Sequence, residues 1–426
     1  MIKAIRYLFV DDILIMRNYQ QTSFVFSLLK VFFTLLVFAY TLYPCVAQDS
    51  IHTPKDTIRQ TDIVEVIFKK HYKKETLELS KNKKVYITIF PAVGYTPATS
   101  VAAVLASNLV FFTSSPLTTY ASVVATSASY TANKQFVLPI RSNIWLKNNS
   151  WNLIGDWRFM KYPQNTYGLG GATEKSDANL IDYSYVRFYQ SALKNVYSKL
   201  YVGGGVNFDY FYGIQENWSG TQPSAFKNYG VGTGPTSISD GLNIQCLWDN
   251  RKNTINPEKG SYVNIVYRFY PAFMGNTMPW ASVYADFRKY VNLPTKGKNI
   301  LGFWLFYWGA PKGTAPYLLL PSNGWDTYTN TARGYVQGRF RSINMLYSEI
   351  EYRYKITANG LLGGVFFVNA ATYSEPGNGK YKYIYPAVGA GLRVKLNKNS
   401  NTNLLIDFAI GLKHSNGFYL DVGEIF

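Results

Sequence analysis

The sequence predicts an all-β fold, a 16-stranded antiparallel transmembrane β-barrel. Three observations lead there: an apolar export signal near the N-terminus, apolar side chains that alternate with a period of two from about residue 85 onward, and aromatic residues crowded at the ends of the alternating segments. The chain has 426 residues, of which 17% are aromatic and only 16% charged. So much apolar surface excludes a disordered chain.

The export signal comes first in chain order. No residue between Lys30 and Asp49 is charged, and "VFFTLLVFAYTLY" (Val31 to Tyr43) is an apolar core preceded by Arg17 and Lys30 and followed by "CVA" before Gln48. That pattern is a secretory signal peptide cut after Ala47. The leader is long, which makes Met16 a candidate start beside Met1. The apolar run is shorter than the roughly 18 to 25 residues of a spanning helix, which disfavours an uncleaved anchor. Pro44 in front of Cys45, where a small residue is expected, disfavours a lipoprotein. The chain carries a net charge of +18. Export excludes nucleic acid as the partner of that charge and points to outer-membrane lipid head groups or lipopolysaccharide. Only Cys246 lies beyond the signal peptide, so no intramolecular disulfide is expected.

Residues 48–84 form a separate short, basic periplasmic tail. Within it "DIVEVIFKKHYKK" (Asp62 to Lys74) predicts an amphipathic helix that is solvated, lies at the inner lipid surface or enters the barrel.

Residues 85–426 alternate. In "NLLIDFAIGL", Leu404, Ile406, Phe408, Ile410 and Leu412 share one face, and Asn403, Leu405, Asp407, Ala409 and Gly411 the other. In "SEIEYRY", Ile350, Tyr352 and Tyr354 oppose Glu349, Glu351 and Arg353. A soluble sandwich would turn its polar faces outward. Here the apolar faces are long and end in clusters such as Phe303, Trp304, Phe306, Tyr307 and Trp308. Together with export, this favours a barrel whose outward residues meet lipid and whose inward residues meet a polar lumen. The uncharged stretch "SVAAVLASNLVFF" (Ser100 to Phe112) is too short for a spanning helix and is broken by "SSPLTT". It is read as strand.

Turn signals place strands at 85–95, 100–112, 119–130, 134–147, 150–163, 180–195, 198–214 and 239–250. The second half follows at 260–273, 278–292, 298–311, 342–356, 360–373, 382–396, 402–413 and 417–426. An even number puts both ends of the barrel on the periplasmic side. The longest connections, 164–179, 215–238 and 312–341, then all fall on the outer side, and short turns such as "KNNS" (Lys147 to Ser150) on the inner one.

Four motifs resemble the BamA/TamA, or bacterial surface antigen, family. The first is "RGY", Arg333, Gly334 and Tyr335, within "ARGYVQGRFRS" on the longest late outer loop. The resemblance implies that this loop folds into the barrel and that its arginine docks on acids of the lumen wall. The first acid matches Glu351; the second position falls on Asn369, which can accept a hydrogen bond but supplies no charge. Arg339 and Arg341 are expected on the same wall. The second motif lies there, in "EIEYR" and "FVNAA". The third is "DNRKNTINPEKGSY", similar to the family's turn between its eighth and ninth strands through Asp249, Arg251, Pro257 and Gly260. The fourth is the C-terminus "GFYLDVGEIF", where Phe418, Leu420, Val422 and Phe426 match the signal read by the barrel-assembly machinery, interrupted by Glu424.

Family members carry periplasmic POTRA modules that hand over clients. About 37 residues precede the first strand here, too few for one such module, and the sequence names neither clients nor a separate periplasmic partner. The seam where first and last strands meet carries Pro91, which lacks a ladder N–H, and Gly423, which weakens pairing. A weak seam is where the family is thought to open toward lipid. The implied function is outer-membrane biogenesis, the insertion or translocation of proteins or lipids, with a diffusion porin as the alternative. No cofactor, metal or enzymatic activity is expected. The histidines His52, His71 and His414 are scattered, and there is neither a Gly-x-Ser-x-Gly elbow nor a metal-ligand spacing. A plugged transporter of 22 strands would not fit in the barrel segment.

Overall fold

A strand whose side chains alternate in polarity is stable only with one face in an apolar medium and the other in a sheltered interior, and a closed barrel leaves no unpaired edge in lipid. The computed structural model describes residues 60–68, 85–220, 222–251, 256–294, 299–398 and 401–426. Within them the chain forms a short helix α1 (Ile63–Phe68) and then a closed antiparallel barrel. The first half consists of β1 (Val85–Thr96), β2 (Ser100–Phe111), β3 (Ser122–Thr131), β4 (Phe136–Trp145), β5 (Trp151–Lys161), β6 (Asn179–Tyr197), β7 (Leu200–Asn217) and β8 (Thr236–Asp249). The second consists of β9 (Gly260–Tyr270), β10 (Trp280–Asn292), β11 (Ile300–Gly313), β12 (Asn344–Lys355), β13 (Leu362–Ser374), β14 (Tyr381–Asn397), β15 (Thr402–Gly411) and β16 (Asn416–Val422). The fifth strand is broken at Tyr162 and Pro163 and resumes over Gln164–Thr166, and both pieces pair with β6. Proline has no N–H for the ladder, which accounts for the break.

Each strand pairs with its chain neighbours, and β1 returns to β16. The outward face is apolar, with Ile87, Ile89, Leu105, Phe159, Ile244, Phe366, Val388 and Phe408 exposed for lipid. Short hairpins suit the right-handed twist. At Asn148–Asn149 and Lys413–His414 both central residues take positive φ, the primed geometry that matches twisted strands. The connections 162–178, 218–235 (with α2, Ala225–Tyr229) and 314–343 are long and lie on the same side, as strand parity requires.

The last strand departs from expectation. It ends at Val422 rather than 426, because Gly423 takes φ 119°, open to glycine and strained for other residues, and turns the chain into the lumen. Gly423 is therefore a bend after the seam strand and not a member of it.

The expected signal peptide and most of the expected tail fall outside the described residues. Residues 60–68 dock on the turns that follow β12 and β14. Asp62 caps α1 by accepting from Glu65 N at 3.0 Å, Lys398 pairs with Glu65, and Thr61 N donates to Asn359 O at 3.1 Å.

A pinned loop as candidate functional site

The inner faces of β5 to β14 are rich in aromatic side chains, and the 314–343 loop supplies more. Tyr317, Leu319, Trp325, Tyr335 and Phe340 from the loop pack against Tyr162, Tyr185, Trp304, Tyr373 and Tyr385 of the wall. The lumen thus holds a hydrophobic core, and area removed from water drives the loop inward. Neighbouring outer loops add to it: Tyr317 N donates to Val231 O at 3.0 Å, and Tyr229 Oη donates to Ala315 O at 2.7 Å.

A loop that enters the lumen carries Arg333 with it, 2% exposed, into a site that must neutralise its charge. Its Nη2 donates to Glu351 at 2.7 Å and to Glu349, both on β12, and its Nη1 donates to Asp407 on β15. Its guanidinium carbon stands 3.5 Å from the centre of the Phe367 ring. The network continues outward from these acids. Arg353 donates to Glu351 at 2.6 Å, and Arg393 bridges Asp407 at 2.5 Å and Glu424 at 2.8 Å. Burial works against the Arg333 charge, but Glu349, Asp407 and Glu351 outweigh it and hold its pKa well above the ordinary arginine value.

Gly334 and Tyr335 make the docking specific. Gly334 has φ 104°, and a Cβ there would lie 2.7 Å from Ala387 Cβ, so only glycine fits. Its N–H donates to Tyr419 Oη at 2.8 Å. Tyr335 Oη donates to Pro386 O at 2.7 Å and accepts from Leu412 N at 2.9 Å. The three residues therefore touch every strand from β12 to β16, the last strands before the seam.

Three expectations need correction. Asn369 does not accept from the guanidinium. Its Nδ2 donates to the backbone carbonyl of Arg333 at 3.1 Å, and its Oδ1 has no partner. Arg339 and Arg341 do not line the wall beside Arg333. Arg339 donates to the hydroxyl and carbonyl of Thr173, at 2.8 and 2.6 Å, tying the loop to the 162–178 connection. Arg341 donates to the carbonyls of Tyr317, Leu318 and Leu320 and holds the loop to itself. Among the described residues no acid pairs with Arg341, and burial pulls it below the ordinary arginine value, against the opposing pull of Tyr317, Tyr183 and Tyr229. Lastly, Phe426 does not continue the outward series of Phe418 and Leu420. It is 3% exposed in the lumen, against Tyr290 and Trp304, and its carbonyl accepts from Arg353 at 2.7 Å.

At the turn motif, the Arg251 guanidinium makes two hydrogen bonds to Asp249, at 3.0 and 2.8 Å, and stacks on Tyr262, while the Arg251 backbone N–H makes a third at 3.1 Å. Pro257 is buried. Gly260 has φ 116°, and a Cβ there would meet Asn250 O at 2.7 Å. In the seam, β1 and β16 register at one pair, Tyr95 with Leu420. Twelve pairs join β1 to β2, where Pro91 stands opposite Leu105.

Sequence reasoning missed Glu349 and Asp407 as partners of Arg333, and with them a recurrent device of the wall. Asp156 with Arg158, Asp286 with Arg288 and Glu351 with Arg353 are acid and arginine two residues apart on one face of a strand, each hydrogen-bonded. An inward face bearing opposite charges at that spacing was the available signal. Among the described residues no group of His, Cys, Asp and Glu is arranged to hold a metal.

Comparison with known proteins bears on this geometry. A family model for the Omp85 superfamily domain matches residues 119–426. Among solved structures, BamA from Haemophilus ducreyi lacking POTRA domains 1–3 superposes with a TM-score of 0.54 at 13% identity, over 80% of this chain and 70% of that one. CdiB from Acinetobacter baumannii gives 0.51 at 11% identity, over 80% and 60%. CdiB from Escherichia coli gives 0.50 at 10% identity, over 80% and 68%. No curated protein matches.

Proposed function

The chain belongs to the Omp85 superfamily, and from that premise we propose that it is a bacterial outer-membrane barrel of the assembly-factor type, which inserts or translocates proteins or lipids. One observation carries this reading: the lumen is filled by a loop held on three buried acids, while the wall itself closes through one registered pair. A client then has an easier route through the seam than through the barrel axis. The loop spans the strands next to the seam, so its docking sets how firmly β16 is held. Its clients would be outer-membrane proteins or lipids, and Phe418, Leu420 and Val422 would present the assembly signal on the last strand.

Depletion in cells, followed by quantification of outer-membrane proteins and lipid asymmetry, tests the function. A fall in either supports it, and no change in both sinks it. Planar-bilayer recordings separate the rival: a large steady conductance would identify a diffusion porin, whereas the filled lumen predicts small, flickering conductance.

A further inference from the structure

The lumen wall holds an arginine that the charge network leaves out. Arg268 lies on the inward face of β9, opposite the lipid-facing Ile265 and Tyr267. Among the described residues it makes no ion pair. Its Nε is buried without a hydrogen-bond partner, and its guanidinium stands over the rings of Tyr189 and Tyr284, at 5.2 and 5.3 Å. The acids nearby are already engaged. Asp209 accepts from Tyr185 at 2.5 Å, Arg187 at 3.0 Å and Tyr189 at 2.5 Å, and Asp286 is held by Arg288 at 2.8 and 2.7 Å.

Two further donors stand beside it. Ser282 is the register partner of Arg268 on β10, and Trp280 lies two residues earlier on the same face. Ser282 Oγ and Trp280 Nε1 are both buried without a partner. All three side chains line one partly open cavity of about 20 Å3, which Arg187 of β6 and Leu319, Trp325 and Thr327 of the pinned loop also border. Arg268 is half-buried with its Nε covered, and buried donors left without a partner demand an acceptor. The space admits a water-sized or monatomic species.

We propose that this cavity is a binding site for one monovalent, halide-sized anion, chloride in the cell, held by the Arg268 guanidinium, the Ser282 hydroxyl and the Trp280 indole N–H. The ion supplies the charge that the wall lacks at β9 and fixes this side of the barrel beneath the loop.

The test uses the full chain folded in detergent micelles. Its unfolding midpoint, read as loss of heat-resistant electrophoretic mobility, is compared in sodium chloride, bromide, gluconate and sulfate at equal ionic strength. The midpoint should rise in chloride and bromide over gluconate, with no such rise in sulfate. Arg268→Gln should abolish the halide-dependent rise, and Ser282→Ala, which keeps the charge, should reduce it. Crystals grown in bromide should show an anomalous peak between Arg268 and Ser282. An equal rise in sulfate, a halide-dependent rise that survives in both variants, or bromide crystals with no peak there would each overturn the proposal. Should Arg268→Gln fail to fold, Ser282→Ala and the bromide peak decide alone.

Discussion

Two stretches of one wall close by opposite means. From β12 to β15 the inner face carries Glu349, Glu351, Arg393 and Asp407, gathered on Arg333 and packed against Phe367. Around the seam the inner face is built mostly of small side chains: Ala92, Gly94, Val104, Ala106, Ala125 and Ser127 border a cavity of about 200 Å3 that also touches Asn108, Leu420, Asp421 and Val422. The first stretch is held by buried charge, and removing Arg333 leaves Glu349 without its cation while Glu351 keeps Arg353 and Asp407 keeps Arg393. The second has little to lose. A barrel built this way concentrates its resistance in the loop and its weakness at the strand junction, and the two meet at β16, where Tyr419 accepts from Gly334.

The largest effect expected on the strong side is that of Arg333→Ala. Three buried carboxylates lose their shared cation, at a cost of about 3 to 5 kcal/mol. Arg333→Lys should be nearly as harmful, because a single ammonium cannot reach acids on β12 and β15 at once and stack on Phe367. The double variant Arg333→Ala/Glu351→Ala should recover little, since Glu349 and Asp407 stay buried and Arg353 loses its partner at 2.6 Å. Protease cutting of the 314–343 loop on intact cells measures this. Equal protection in the parent and in Arg333→Ala would mean that aromatic packing alone holds the loop.

Phe426→Ala comes next, at about 3 to 5 kcal/mol for a buried Phe-to-Ala change, read as a lower unfolding temperature of the barrel. Phe418→Ala, on the lipid face, should scarcely move it. If the two behave alike, Phe426 is not a lumen residue. Gly334→Ala should cost about 1 to 3 kcal/mol, for a strained backbone and a clash with Ala387. The same protease assay, calibrated on Arg333→Ala, should show intermediate cutting.

How much of this was legible in the sequence follows from the range over which each signal acts. Strand alternation and turns are local, so the sixteen segments could be read off within a few residues, Ser100–Phe111 included. The loop arginine and Glu351 were legible only through the family resemblance. Asp407 was not, because it reaches Arg333 across 74 positions through a register that one sequence does not reveal. Asn369 shows the same limit. Read as a weak stand-in for an acid, it instead donates to the Arg333 carbonyl. Asn369→Asp should therefore destabilise the loop by about 1 to 3 kcal/mol, since a carboxylate cannot donate and leaves that carbonyl unsatisfied. A gain in loop protection in this variant would restore the acid reading. Phe426 was misplaced because alternation was extended past Gly423, where the backbone leaves the sheet.

The weak side gives the smallest effect on stability and the sharpest test of the contrast. Tyr95 and Leu420 are the one registered pair between β1 and β16, and Tyr95 also meets Phe418 at 5.8 Å. A cross-strand pair contributes about 0.2 to 1 kcal/mol, so Tyr95→Ala should leave the unfolding midpoint almost unchanged. Directly opposed antiparallel residues lie within the Cα separation a disulfide accepts. Tyr95→Cys with Leu420→Cys should therefore cross-link once Cys246 is replaced by Ser. If the seam opens in function, the oxidised double variant should fold and reach the outer membrane in normal amount yet fail to complement depletion, and reductant should restore activity. Full complementation by the locked barrel would show that the seam is merely thin, and that clients pass by some route the pinned loop does not block.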